Sequence, residues 1–110
     1  MKKLAVSFVV VATTAAVLAV PALAGTTSVK VGDDYFVRKG GATVTVKKNT
    51  TVKWVWTGRN PHDVTASGPQ SFRSGSAKKS GSYSRKMTKS GTYRVICTVH
   101  SGMKMTLKVK

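Results

Sequence analysis

Four side chains in this sequence have the types and spacing to hold a metal ion. Cys97, His100 and Met103 lie three residues apart in Tyr93-Arg-Val-Ile-Cys-Thr-Val-His-Ser-Gly-Met103, and His62 stands upstream in Asn60-Pro-His-Asp-Val64. The chain has one Cys and two His, and all three belong to this set. A thiolate, two imidazoles and a weak thioether are the donors that favour a blue-copper centre over other metals. Zinc would take four N, S or O ligands in a tetrahedron, and here its fourth would be a thioether, a poor match. Met105 is a rival for the axial position, on the same strand face as Met103 but one step deeper. Taken singly, each residue has a plainer reading: a buried inert thiol and ordinary hydrogen-bonded core histidines. Their joint placement carries the metal reading.

Those side chains must be positioned by a small domain. A chain of 110 residues is a single-domain length. One Cys excludes an internal disulfide, so this is not a disulfide-stapled scaffold. Two His cannot supply the further centres of a multicopper oxidase or reductase, which excludes that class for this chain alone. Nineteen Lys and Arg oppose only Asp33, Asp34 and Asp63, for a formal net charge of +16. Such an excess points to acidic proteins, an anionic envelope polymer or nucleic acid as partners, or to a surface that simply repels itself.

The first 24 residues are expected to be a cleaved secretory signal. Lys2 and Lys3 precede an apolar run from Leu4 to Val20, followed by Pro21, the small-x-small triplet Ala22-Leu-Ala24, and Gly25. The run is nearly long enough to serve as an uncleaved anchor instead, and the triplet with its flanking Pro favours cleavage. The resulting domain, residues 25–110, keeps 17 basic and 3 acidic side chains, or +14. Export sharpens the thiol argument, because an unpaired Cys in an oxidising compartment is prone to oxidation unless it is engaged.

After residue 25 there is no helical periodicity, only short alternating runs parted by Gly, Asn and Ser. Strands are expected at 28–31, 33–38, 43–47, 51–56, from His62 to Ala66, 83–87, 92–97 and 103–109, with a tight turn at Lys48-Asn49. Period-two alternation places Val52, Trp54 and Trp56 on one face, His62, Val64 and Ala66 on another, and Tyr93, Val95 and Cys97 on a third, all inward. Residues 67–82, rich in Ser, Gly and Lys, are expected to form a long mobile loop tacked down by Phe72. The fold class is therefore all-β, a Greek-key β-sandwich or barrel of about seven to eight strands.

Residues 29–110, centred on Asn60-Pro-His62 and Tyr93-x-x-x-Cys97-x-x-His100-x-x-Met103, resemble a small cupredoxin of the plastocyanin and amicyanin kind. The short His-to-Met spacing is similar to that of amicyanin, while Met105 would restore the plastocyanin spacing. The resemblance implies one copper per chain, with His62, Cys97 and His100 as strong ligands and Met103 as the weak axial one. It also implies that electrons pass through the edge of His100, framed by Val99, Met103 and Pro61. Where the family often has an Asn after the first His to tie the ligand loops together, this chain has Asp63.

The function expected is that of an exported one-electron carrier, not an enzyme, acting in the periplasm or extracellular envelope space. It would meet acidic redox partners in transient complexes, with possible association to the anionic envelope surface, as a monomer. Copper storage or delivery with the same ligands is the main rival. A basic envelope-polymer binder rests on charge alone, and nucleic acid is not expected because no aromatics interleave with the basic loop.

Overall fold

Alternating apolar side chains, set in runs too short and too β-branched for helices, give this chain a sheet-forming surface throughout. The computed structural model describes residues 25–110, so the expected signal segment lies outside the described residues. Nine strands form, with no helix among the described residues: β1 (Thr26–Gly32), β2 (Tyr35–Phe36), β3 (Thr43–Val46), β4 (Thr51–Trp56), β5 (Thr65–Ser67), β6 (Phe72–Arg73), β7 (Ser82–Lys86), β8 (Gly91–Ile96) and β9 (Lys104–Val109). They make two mixed sheets, β3-β9-β8-β5-β6 and β2-β1-β4-β7. The chain passes from one sheet to the other five times, the Greek-key sandwich that the alternation implied.

Register follows the apolar pattern. In β4, Val52, Trp54 and Trp56 are buried while Lys53 faces water. Parallel pairing sets Val29 beside Trp54 and Val31 beside Trp56. Across the sandwich, antiparallel β8 and β9 put Val95 beside Met105 and Tyr93 beside Leu107, and these four are buried in the same core. Shifting either strand by one residue would send its whole apolar set into water, so the core fixes the register. Lys48-Asn49 turns as expected, with Asn49 at φ 75°, a conformation Asn tolerates better than most residues.

Three expectations need correction. The strand foreseen at 33–38 is only Tyr35–Phe36, because Asp33 and Asp34 turn the chain back on β1 and Val37, at φ 67°, ends the extended run. The strand foreseen from His62 begins only at Thr65; His62 itself makes an isolated bridge with Lys78. Pro61 has no N–H to donate, and the chain here bends to meet two partners, so no continuous ladder forms. The stretch 67–82, foreseen as a loop, contains β6, which pairs antiparallel with β5. Val64 and Ser74 also exchange hydrogen bonds: Ser74 N–H donates to the Val64 carbonyl at 2.8 Å and Ser74 Oγ accepts from Val64 N–H at 2.9 Å. Small polar residues conceal this ordering because their bonds, not their side-chain burial, create it.

Phe72 does anchor the stretch. Its ring centroid lies 5.8 Å from Trp54, 6.1 Å from Tyr93 and 6.3 Å from Tyr83, with the Arg85 guanidinium 5.0 Å over its face. Because β6 backs the His62 segment, loosening it loosens the site. Phe72→Ala should cost about 3–5 kcal/mol of unfolding free energy, the range for emptying a large core position. Urea denaturation measures it; a loss within the ordinary scatter of surface substitutions would mean that Phe72 does not hold this stretch.

Candidate metal centre

At one end of the sandwich β8 stops at Ile96 and β9 begins at Lys104, leaving residues 97–103 to close the sheet. The closure is tight, with Cys97 N–H donating to the Met103 carbonyl at 3.0 Å and Met103 N–H to the His100 carbonyl at 3.4 Å. Continued strand parity keeps the Cys97 side chain inward, and it is buried. His62 arrives from the other strand segment with no exposed surface. Trp56 Nε1–H donates to the His62 carbonyl at 2.9 Å, tying that backbone to the core of the opposite sheet. His100 is the outermost of the three, with 27% of its side chain exposed.

The three donor atoms converge. His62 Nδ1 and His100 Nδ1 are 3.1 Å apart, Cys97 Sγ is 3.5 Å from His100 Nδ1, and it is 3.9 Å from His62 Nδ1. The point equidistant from the three corners of that triangle lies about 2.0 Å from each, close to the lengths at which imidazole nitrogen and thiolate sulfur bind a first-row metal. A trigonal His₂Cys set of this size is the donor arrangement of blue-copper sites. Met103 is buried beside it and lines the cleft of about 530 Å³ that also contains Ile96, Cys97, Val99 and His100. Met105, equally buried, lines a different cleft with Arg38, Thr43 and Thr106. Met103 thus shares a cleft with Cys97 and His100, and Met105 does not line it.

His62, Cys97 and His100, singled out in the sequence, come together here, and Met103 lines the cleft of the latter two; two neighbouring carboxylates were not foreseen. Asp33, on the turn between β1 and β2, places its Oδ1 2.9 Å from His62 Nε2. It also accepts the backbone N–H groups of Arg59 and Asn60 at 2.9 to 3.0 Å. The His62 bond first, then those from Asn60 and Arg59, hold its carboxyl at a pKa of about 2. Asp34 Oδ1 lies 3.6 Å from His100 Nε2. No local pattern could have shown either, because 29 residues separate Asp33 from His62.

Asp63 braces the segments that carry His62 and Cys97. It is buried, and its carboxylate accepts Thr98 N–H at 2.7 Å, Thr98 Oγ–H at 3.0 Å and Thr65 Oγ–H at 2.7 Å. One side chain so joins the His62 segment, β5 and the loop just after Cys97. Burial pushes its carboxyl up, but the bonds from Thr65 and Thr98 outweigh that and hold it below the usual range. Burial pushes the Cys97 thiol up, so a metal taken there displaces a proton.

A two-sheet β-sandwich with a trigonal imidazole–imidazole–thiolate set at one end is the class of the single-copper β proteins. The family model for copper-binding proteins of the plastocyanin/azurin family matches residues 26–110, and the chain belongs to that family. No curated protein sequence matches it. Among solved structures, an oxidised amicyanin mutant is 27% identical, covering 78% of this chain and 83% of its own, at a TM-score of 0.63. A reduced amicyanin mutant is 26% identical with the same coverage and a TM-score of 0.63. The copper-containing nitrite reductase of Thermus scotoductus SA-01 is 23% identical over 77% of this chain, at a TM-score of 0.64. The chain spans only 22% of that reductase, a likeness of fold. Copper is therefore the cofactor, and the residues present fit one type 1 ion.

Both depressed carboxylates favour the folded state above their unfolded pKa of 3.8, and that contribution disappears as protons bind below it. Stability should fall as pH drops from about 4 toward 2, the range over which Asp33 takes up its proton. Asp63→Ala, which leaves the Thr98 N–H without its acceptor, should cost about 1–3 kcal/mol at pH 7. It should also flatten part of the acid-side loss. Denaturant melts of metal-free protein across pH measure both, and an unchanged acid limb in the variant would remove Asp63 from the account.

Proposed function

We propose that this protein is an exported one-electron carrier that holds a single copper ion through His62, Cys97 and His100, with Met103 as a weak axial ligand. The observation that carries the reading is the triangle of Nδ1, Nδ1 and Sγ atoms, sized for one first-row ion. Bound there, copper supplies a Cu(II)/Cu(I) couple. The protein's own part is to keep the donors in one arrangement for both states, so that little rearrangement opposes transfer. Strand ends, the Cys97–Met103 backbone bond and the Asp63 brace provide that rigidity.

His100 is the route for the electron. It is the donor that reaches solvent, and the exposed apolar residues Val99 and Ile96 flank it. A partner covering that patch would exclude water and come within van der Waals reach of the imidazole. The positive surface favours acidic partners and speeds encounter, an effect that salt weakens. Export to the periplasm or envelope space rests on the leader-like residues 1–24. Carrier function rather than catalysis follows from a centre whose four donors all come from the protein, leaving no position for a substrate.

The deciding measurement is the spectrum of the purified protein with one equivalent of cupric ion. An intense blue thiolate-to-copper band with narrow hyperfine splitting, and a reversible couple, is the expected result. Copper lost on reduction would point to storage or delivery instead. Cys97→Ser should abolish the blue band while leaving the sandwich folded. Met103→Leu should keep the colour and raise the potential; the same effect from Met105→Leu alone would transfer the axial role.

A further inference from the structure

The chain has only three carboxylate side chains, and two of them sit side by side on a turn near the site. Gly32 pairs with Tyr35 across β1 and β2, so Asp33 and Asp34 are the whole connection. Asp34 takes φ 69°, a left-handed conformation that Asp adopts more easily than most residues. Adjacent side chains thereby reach different targets: Asp33 meets Nε2 of His62, and Asp34 faces Nε2 of His100. Each is the nitrogen remote from the point where the donor atoms converge.

We propose that the Asp33–Asp34 turn is an outer half of the copper site, fixing His62 as a ligand and biasing the ion toward Cu(II). The proposal rests on the ligand set proposed above. For His62 the reason is one of satisfaction. The ring is fully buried, so its Nε2–H has no water to turn to, and Asp33 is its acceptor. Placing the proton on Nε2 leaves a lone pair on Nδ1, aimed at the centre. The other tautomer would aim a proton there and set Nε2 against a carboxylate with two lone pairs facing each other. A carboxylate behind a ligating histidine is a recurrent way of fixing ring orientation and raising ligand basicity.

The chain invests in holding Asp33 still. Its oxygens accept two successive backbone N–H groups from the loop after β4 as well as the imidazole. That loop can come so close because Gly58 has no side chain; a Cβ there would overlap the Asp33 carboxylate. Asp34 is a looser partner, at 3.6 Å and more than two-thirds exposed, so solvent and salt screen it.

Charge gives the second consequence. Removing an electron from Cu(I) adds a positive charge to a protein that already carries many, and the general field resists it. Two anions behind the ligands oppose that field where distance is shortest, and they stabilise the more positive ion. The turn therefore lowers the reduction potential, Asp33 more than Asp34.

Two measurements test this, one needing no copper. In the metal-free protein, ¹⁵N shifts should show His62 protonated at Nε2 and unprotonated at Nδ1, and Asp33→Ala should abolish that preference. Should Asp33→Ala fail to fold, Gly58→Ala displaces the same carboxylate without altering charge and should weaken the same preference. A His62 protonated at Nδ1 in the parent, or an unaltered tautomer in the variants that fold, overturns the proposal. In the copper-loaded protein, Asp33→Asn should shift the Cu(I) to Cu(II) affinity ratio about tenfold toward Cu(I), a rise of about 59 mV for one electron. Asp34→Asn should raise it less, and Lys53→Gln, on the exposed face of β4, should not raise it. A change for Asp33→Asn no larger than that for Lys53→Gln overturns the charge effect. If the cupric spectrum lacks a thiolate band, the ligand set fails on its own, while the tautomer result still reports on Asp33.

Discussion

Everything at the end of this sandwich depends on keeping three electron-rich atoms within 3.9 Å of one another. Two imidazole nitrogens and a sulfur at these separations repel unless a proton or a cation lies between them. Crowding them together is a cost that the rest of the fold must bear. The chain meets it with rigid attachments: Cys97 bonded through its backbone to Met103, His62 held at its carbonyl by Trp56 and at Nε2 by Asp33. Copper converts the cost into a gain, and by mass action its binding adds to the stability of a small domain with a limited core.

The brace and the core are one object. Trp56 lies on the inner face of β4 beside Val52 and Trp54, yet its indole nitrogen ends on the His62 carbonyl. Asp63 is flanked by His62 and Val64, both fully buried, and it links β5 to the residue after Cys97. A change deep in the sandwich is thereby felt at the donors without any long chain of contacts. The reverse also holds, since the donors close the only route by which β8 passes into β9. Metal site and hydrophobic core cannot be loosened independently.

Much of this was legible in the order of residues. Alternation gave the inward faces of β4, β8 and β9 directly, because one misplaced residue would expose a Trp or a Tyr. The same parity placed Cys97 and Met103 inward although both lie just outside their strands. His62 was legible for a different reason: Pro61 and the apolar residues Val64 and Ala66 mark its face. Strict alternation fails at the next position, where Asp63 is buried beside His62 and Val64. The backbone leaves the extended ladder there, and three hydrogen bonds replace water for the carboxylate. Asp33 could not be read at all, since its role arises from a turn meeting a loop some 26 residues away. Strand β6 escaped for want of a pattern, its two residues being too few to alternate.

Charge placement follows from these contacts. With the carboxylates of Asp33 and Asp63 engaged by hydrogen bonds and Asp34 turned toward His100, the cations of the described surface have few anions to offset them. Arg94 and Lys104 line both the cleft at His100 and the neighbouring groove with Arg38 and Gly41, so positive charge runs from one to the other. At an ionic strength near 0.15 M such charges act over about 8 Å, far enough to orient an approaching acidic surface but too short to bind it firmly. On the proposed carrier reading, close contact would be left to the exposed side chains of Val99 and Ile96. Such a carrier would need both quick arrival and quick departure. Asp33 and Asp63 keep their negative charge behind the ligand segments, where hydrogen bonds hold it. Asp34, exposed beside His100, is the one acidic side chain that reaches the face a partner would cover on the proposed reading.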